Sequence, residues 1–305
     1  VNTPGDRRRV KKIAWGRLAL SLLLLTGTLA WLDPERLWQR FAGADPSWFV
    51  LALCSASLGY PILAARWSFL SRRAGAALGF GRAVREYYVS TLLNQLLPFG
   101  VAGDAWRAMR RLDAEGSRES RRGALAALVA DRVSGQVVLW AWVLTVLPAL
   151  GAGFSSVGAS RAALLLAVVA ALGLVLVWRV ERLREWARAS AALLIRPRSA
   201  AVHVPLSAML VALHVATFWA GTRALALDLD LVTACHLVPL VLCAGSLPAF
   251  FAGWGVRELA AAGLYHLSGL RSGDGASASL LFGLVSLLAS APGIFLLDRA
   301  RGDQR

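Results

Sequence analysis

Arg107 and Arg257 hold equivalent places in a motif that occurs twice. Leu97-Pro98 is followed by Gly103 and Arg107, and Leu247-Pro248 by Gly253 and Arg257, the second copy lying 150 residues after the first. The planar donor fork of a guanidinium suits phosphate oxygens. A helix N-terminus adds free N–H groups and the positive end of its dipole. Two such arginines at two helix starts would make an anion site, with Asp104, Glu258 and the Asp131-Arg132 pair as groups that tune or gate it. This is the chemistry of holding a charged group, with no catalytic residue implied.

The elements that must position these side chains are two broken hairpins. Each motif sits in apolar sequence interrupted by proline and glycine, at Pro98 and Gly103 in one copy and Pro248 and Gly253 in the other. Proline removes an amide donor and glycine weakens a helix, so each copy reads as helix, break, helix. At membrane depth such a break is tolerated where it is buried in protein or lines a watery cavity. The first hairpin is expected to run from about Arg82 to Leu96 and to resume at Asp104, a candidate N-cap. Arg107 and Arg257 are then expected in the first turn of the second half-helices. Asn94 and Gln95 are expected to satisfy backbone groups freed by the break, and Asn94 also counts as a candidate substrate contact.

Other pairings remain open on the sequence. Arg107 can pair with Asp104 or Glu86, and Arg257 with Glu258, as fixed structural pairs. Asp131 and Arg132 are adjacent on a helix and do not face each other, so each needs another partner. Either they line a cavity or they form a cross-helix salt bridge. Arg66, near a helix end, is expected to snorkel to the interface. His214, His236 and His266 read as interhelical hydrogen-bonders or proton carriers. Cys54, Cys235 and Cys243 read as small buried apolar residues, and no HExxH or CxxC pattern occurs. No metal site and no cofactor are expected.

With 57% hydrophobic residues in 305 and a mean hydropathy of +0.57, the composition is that of an integral membrane protein. The net charge of +15 sits in clusters between apolar runs, a topology signal rather than a nucleic-acid footprint. Full spans are expected at 13–32, 47–70, 123–150, 162–178, 204–227 and 276–297, each near the ~20 residues a bilayer requires. A basic surface helix is expected at 179–198. Leu231–Leu267 forms the second broken element, although 231–251 is long enough to cross outright. Only Arg36, Arg40, Arg161, Arg223 and Arg271 then lie outside, which places both termini in the cytoplasm. The expected fold is all-α, a polytopic transmembrane bundle of about six full spans plus two re-entrant hairpins in an inverted repeat. Its parts are a basic N-terminus at 1–12, a first repeat at 13–150, a second at 151–298 and a tail at 299–305. Three crossings per repeat invert the second copy, a plan shared with many transporters, so the two hairpin tips are expected to meet near the midplane.

Asn94–Arg107 (NQLLPFGVAGDAWR), Arg66-Trp67, Asp131-Arg132 and Leu247–Glu258 (LPAFFAGWGVRE) resemble the lysylphosphatidylglycerol synthase transmembrane-region family, also described as flippase-like. The resemblance covers almost the whole chain; Ala102 stands where the family pattern often has a glycine. It implies lipid translocation, with aminoacylated phosphatidylglycerol as cargo in the best-known members and hopanoid, glycolipid or polyprenyl-linked sugar pathways in others. The aminoacyl-transfer domain of bifunctional members is not expected here, so no enzyme activity is expected. The reading is a transporter that moves an anionic phospholipid or polyprenyl-phosphate-linked lipid between leaflets of the inner membrane through a midplane cavity. The alternative is a non-transporting membrane partner of a glycosyltransferase or lipid-modifying enzyme.

Overall fold

Apolar sequence placed in a membrane must satisfy every backbone polar group within its own segment, which favours helices. The computed structural model describes residues 26–27, 34–97, 101–151, 181–246 and 254–302, and every regular element among them is an α-helix. In chain order these are α1 (Pro34–Ala42), α2 (Pro46–Arg73), α3 (Phe80–Leu96), α4 (Ala102–Ala114), α5 (Arg118–Gly151), α6 (Glu181–Leu194), α7 (Pro197–Ala224), α8 (Leu231–Gly245), α9 (Val256–Leu267), α10 (Ser272–Ser290) and α11 (Gly293–Gly302).

Four helices are long and apolar enough to cross a membrane: α2, α5 over Arg118–Val146, α7 and α10. They match the expected spans at 47–70, 123–150, 204–227 and 276–297, with shifted ends. The expected spans at 13–32 and 162–178 lie outside the described residues, apart from residues 26–27. The last span differs from expectation, because α10 stops at Ser290 and a separate α11 begins at Gly293. Pro292 cannot donate to the preceding turn, so the helix closes there through Ala291 N–H to Leu288 O at 3.1 Å. With 15 residues, α8 rises roughly 22 Å, short of a ~30 Å hydrocarbon core.

Hydroxyls in these apolar helices are largely satisfied on their own backbone. Ser55 donates to Leu51 O, Thr217 to Leu213 O and Ser277 to Gly273 O, each one turn back. Helix starts are capped from side chains: Asp45 Oδ1 accepts from Ser47 N–H at 2.7 Å at the head of α2. Asp230 Oδ1 accepts from Thr233 N–H at 2.9 Å at the head of α8. Of the cysteines expected to be buried, Cys243 is, Cys235 is half-buried and Cys54 is exposed. A small weakly polar thiol on a spanning helix can face hydrocarbon as well as protein, so burial was not required of it.

The helices group into two units. The first contains the described parts of Val1–Leu58, Arg85–Trp106 and Leu213–Arg305; the second contains Gly59–Val84 and the described parts of Arg107–Ala212. In the first unit, α9 packs on α8 and α10. Ala262, Ala276 and Leu280 form a core there, with Leu37, Phe41 and Trp254 against it. Gly275 on α10 lets that packing close, since a Cβ there would strike the Ala261 carbonyl and the Tyr265 ring. In the second unit, α5 packs on α6, and Leu70, Ala127 and Ala130 are the buried centre, with Leu193 and Leu194 alongside.

Candidate functional site

The first repeated motif folds as a hairpin whose arms approach closely. At Gly103 a Cβ would collide with the Ser90 carbonyl of α3, so only glycine lets α4 pass there. Asn94 Oδ1, on α3, accepts from Gly103 N–H at 2.7 Å, and Asn94 Nδ2 lies 3.4 Å from Asp104 Oδ2. Asn94 therefore takes up a donor that the start of α4 would otherwise leave orphaned, as expected from its place before the break. Asp104 is not the N-cap: α4 begins at Ala102, and Asp104 lies within its first turn. For the same reason Arg107 falls in the second turn, not the first. Pro98 itself lies outside the described residues.

Arg107 reaches a buried centre built by helices of the second unit. Helix α2 supplies Arg66 and Trp67, α5 supplies Asp131 and Ser134, and α7 supplies His203 and Ser207. The spacings of three in Asp131/Ser134 and four in His203/Ser207 put each pair on one helix face. Arg66 Nε donates to Asp131 Oδ1 at 2.8 Å, and Arg66 Nη1 donates to Ser207 Oγ at 2.9 Å. Arg107 Nη1 stands 3.8 Å from Asp131 Oδ2, an ion pair wider than a hydrogen bond. Its guanidinium carbon lies 4.6 Å from the centre of the Trp67 ring, a cation–π contact worth about 2 kcal/mol when water is excluded. Arg107, Asp131 and Trp67 are all fully buried, at 0% exposure. Gly135 on α5 lies against the Arg66 guanidinium, where an added Cβ would stand 3.4 Å from Nη1, at van der Waals contact.

This centre corrects one expectation, that for Arg66, and agrees with another, that Asp131 and Arg132 do not face each other. Arg66 does not snorkel: it is 4% exposed and bound to Asp131, because a buried carboxylate one helix away outcompetes the interface for its charge. Asp131 and Arg132 are not brought together. Asp131 is buried and Arg132 is exposed, as the ~100° turn between neighbouring helical residues dictates. Of the two readings left open for Asp131, the cross-helix salt bridge is the one formed.

The second motif builds a different arginine setting in the first unit. Helix α9 starts at Val256, so Arg257 is in its first turn, as expected. Gly255 carries φ +85, a conformation that suits glycine, and Glu258 Oε2 accepts from Gly255 N–H at 2.5 Å. Glu258 Oε1 accepts from Arg257 Nη2 at 2.8 Å and from Ser279 Oγ at 2.9 Å. Arg257 Nε donates to Ser279 Oγ at 3.0 Å. The rings of Trp254 and Phe282 flank the guanidinium carbon at 5.1 and 5.2 Å. Gly283 on α10 leaves the slot open, since a Cβ there would collide with Arg257 Nη2 and Trp254, while Gly245 on α8 lies against the Arg257 side chain. The Arg257–Glu258 pair left open by the sequence is thus formed. Pro248 and Gly253 lie outside the described residues.

Identical spacing in the two copies therefore gives two different helix starts. Helix α4 begins five residues before its arginine and α9 one residue before. The capping groups differ, Asn94 from a neighbouring helix in one copy and Glu258 from the same turn in the other. Sequence reading missed Ser207, Ser279, Trp254 and His203. The serines and His203 are ordinary residues of apolar helices and Trp254 lies in the turn before α9; only Trp67 was flagged, through its neighbour Arg66. His203 bonds between helices, joining Ser134 Oγ and Leu194 O, whereas His236 Nδ1 meets its own helix at Val232 O. Among the described residues, no three His, Cys, Asp or Glu side chains gather as a metal site.

Long apolar helices around fully buried arginine–carboxylate centres define an integral membrane protein of the helical type. The family described as the lysylphosphatidylglycerol synthase TM region matches residues 15–293, and the chain belongs to that family. A comparison with curated proteins finds no match.

Proposed function

We propose that this protein moves a phosphate-bearing lipid, either a phospholipid or a polyprenyl-phosphate-linked lipid, between membrane leaflets. Arg107 and Arg257 are the headgroup contacts in this reading. The observation that carries it is the state of Arg107: a guanidinium at 0% exposure, laid on Trp67, sharing one carboxylate with Arg66. Burying a charge in a membrane protein is costly and marks a substrate or ion pathway by default. Asp131 holds two guanidiniums at once, so an incoming phosphate can replace part of that hold with bidentate bonds of its own. In the other unit, Glu258 and Ser279 orient Arg257 in the same manner. Membership of a family named for a lipid synthase's membrane region supports a lipid as the cargo. The reading assigns no bond-making step to these residues. We place both termini on the cytoplasmic side of the inner membrane, on the strength of the basic-residue asymmetry.

The test is exchange of labelled phosphatidylglycerol and polyprenyl phosphate between leaflets of proteoliposomes. Arg107→Ala and Arg257→Ala are each expected to slow exchange by about tenfold or more, given roughly 1.5–3 kcal/mol for a charged hydrogen bond. Arg107→Lys is expected to recover little, because lysine lacks the planar fork. If the natural protein exchanges none of these lipids, the reading falls. The non-transporting partner of a glycosyltransferase or lipid-modifying enzyme then takes its place.

A further inference from the structure

His203 ends a hydrogen-bonded chain that runs into the Arg66–Asp131 pair, and the donors in that chain count out in an informative way. Its Nε2 lies 3.1 Å from the carbonyl of Leu194, which can only accept, so Nε2 carries a proton. Its Nδ1 lies 2.8 Å from Ser134 Oγ, and Ser134 Oγ lies 2.8 Å from Ser207 Oγ. Ser207 Oγ also stands 2.7 Å from the His203 carbonyl and accepts from Arg66 Nη1 at 2.9 Å. If Ser207 spends its one proton on that carbonyl, Ser134 must donate to Ser207. Ser134 then has nothing for Nδ1, and Nδ1 must donate as well. Both ring nitrogens are donors only in the imidazolium. With a neutral ring, Ser134 turns its proton to Nδ1 and Ser207 turns its proton to Ser134, releasing the carbonyl.

We propose that His203 is a proton sensor that sets, through Ser134 and Ser207, how firmly Arg66 is held on Asp131. In the acid form, Ser207 Oγ accepts from Ser134 and Arg66 together; in the neutral form it accepts from Arg66 alone. Protonation thus adds a competing donor at the oxygen that steadies Arg66. It also adds positive charge beside two guanidiniums that share one carboxylate, which favours an incoming anion. The partner at Nε2 suits a cation, since Leu194 O belongs to the last turn of α6, where the carbonyl end of the helix dipole lies. The charged groups toward the ring from the packed helices are Arg66 on α2, Asp131 on α5 and, through Asp131, Arg107 on α4. Glu185 and Arg188 on α6 are exposed, as are Arg132 on α5 and Arg196 and Arg198 at the head of α7. Histidine is the side chain whose charge changes between about pH 5 and 8, and His203 is 6% exposed.

The protonation itself is independent of the transport reading; only its consequence for lipid exchange rests on it. Two measurements separate them. Nitrogen-15 NMR of histidine-labelled protein in nanodiscs, scanned over about pH 5 to 8 with the His203 signal assigned by its loss in His203→Gln, is expected to show the ring change between its doubly and singly protonated forms. Ser207→Ala is expected to move the midpoint of that change. A ring that stays in one state across this range, or a midpoint indifferent to Ser207→Ala, overturns the proposal. In proteoliposomes, phosphatidylglycerol exchange is expected to rise roughly three- to tenfold from pH 8 to pH 5.5, by Coulomb attraction through partly screened protein. Glutamine offers a donor group and an acceptor group but no titrating charge, so His203→Gln is expected to flatten the profile at its alkaline value. An unchanged profile in that variant overturns the coupling. If the natural protein exchanges no lipid at any pH, the transport reading fails, and the titration still decides the sensor.

Discussion

Arg66 and Asp131 lie 65 residues apart in sequence, yet Arg66 Nε meets Asp131 Oδ1 at 2.8 Å with both side chains buried. The contact ties α2 to α5, and the second carboxylate oxygen faces Arg107 on α4. One acid thereby fixes three helices, and it does so where the repeated motif delivers its arginine. A carboxylate in this position orients the site as much as it stabilises the fold.

Breaking that pair from one side strands the other charge. Asp131→Leu and Arg66→Leu are each expected to destabilise the protein by about 3 kcal/mol, the usual scale for removing one partner of a buried pair. The double variant Arg66→Leu with Asp131→Leu is expected to recover part of the loss, because no unpaired charge remains from that pair. Thermal unfolding in detergent, followed as a double-mutant cycle, checks this. Strictly additive losses would show that the two side chains do not act on each other.

Two glycines predict opposite signs for the same substitution. Gly103→Ala drives a methyl into the Ser90 carbonyl, which must part the arms of the first hairpin and lower stability by about 2 kcal/mol or more. Gly263 is exposed in the middle of α9 with nothing within 4 Å of an added Cβ. Gly263→Ala is expected to raise stability by roughly 0.5–1 kcal/mol through helix propensity. Unfolding temperatures of the two variants that moved in the same direction would contradict the hairpin packing.

Asp230 offers a pH-dependent effect outside the spans. The Thr233 side-chain and backbone donors hold its carboxyl below the usual aspartate range, so the folded protein favours the ionised cap. A depressed folded value means the stabilisation is fully present above the unfolded value of about 3.9 and fades as pH falls through the folded one. Asp230→Ala is expected to cost about 1 kcal/mol at neutral pH, the usual worth of an N-cap, and nothing at the acid end of that window. Denaturation of both forms at pH 7 and near pH 2.5 tests the sign.

Much of the fold was written in local pattern. Apolar runs of sufficient length predicted α2, α5, α7 and α10, since a bilayer demands ~20 apolar residues whatever the rest of the chain does. The doubled Leu-Pro motif located two breaks and two arginines because proline and glycine act on the backbone where they stand. Asn94 before the break was legible for the same reason: a freed amide needs an acceptor nearby.

What local pattern could not assign was partnership. Arg66 looked like an interface residue, and Asp104 looked like a cap. Only the crossing of α2, α4, α5 and α7 gave Asp131 its two arginines and Ser207 its place beside Arg66. Helix starts followed the same rule: equal spacing placed Arg107 in a second turn and Arg257 in a first, because distant or local caps decided where each helix began. Sequence alone therefore determined which segments are helical and apolar, a property each segment carries within itself. Tertiary structure decided which buried charges meet, because a charge removed from water must take whatever opposite group packing brings within a few ångströms.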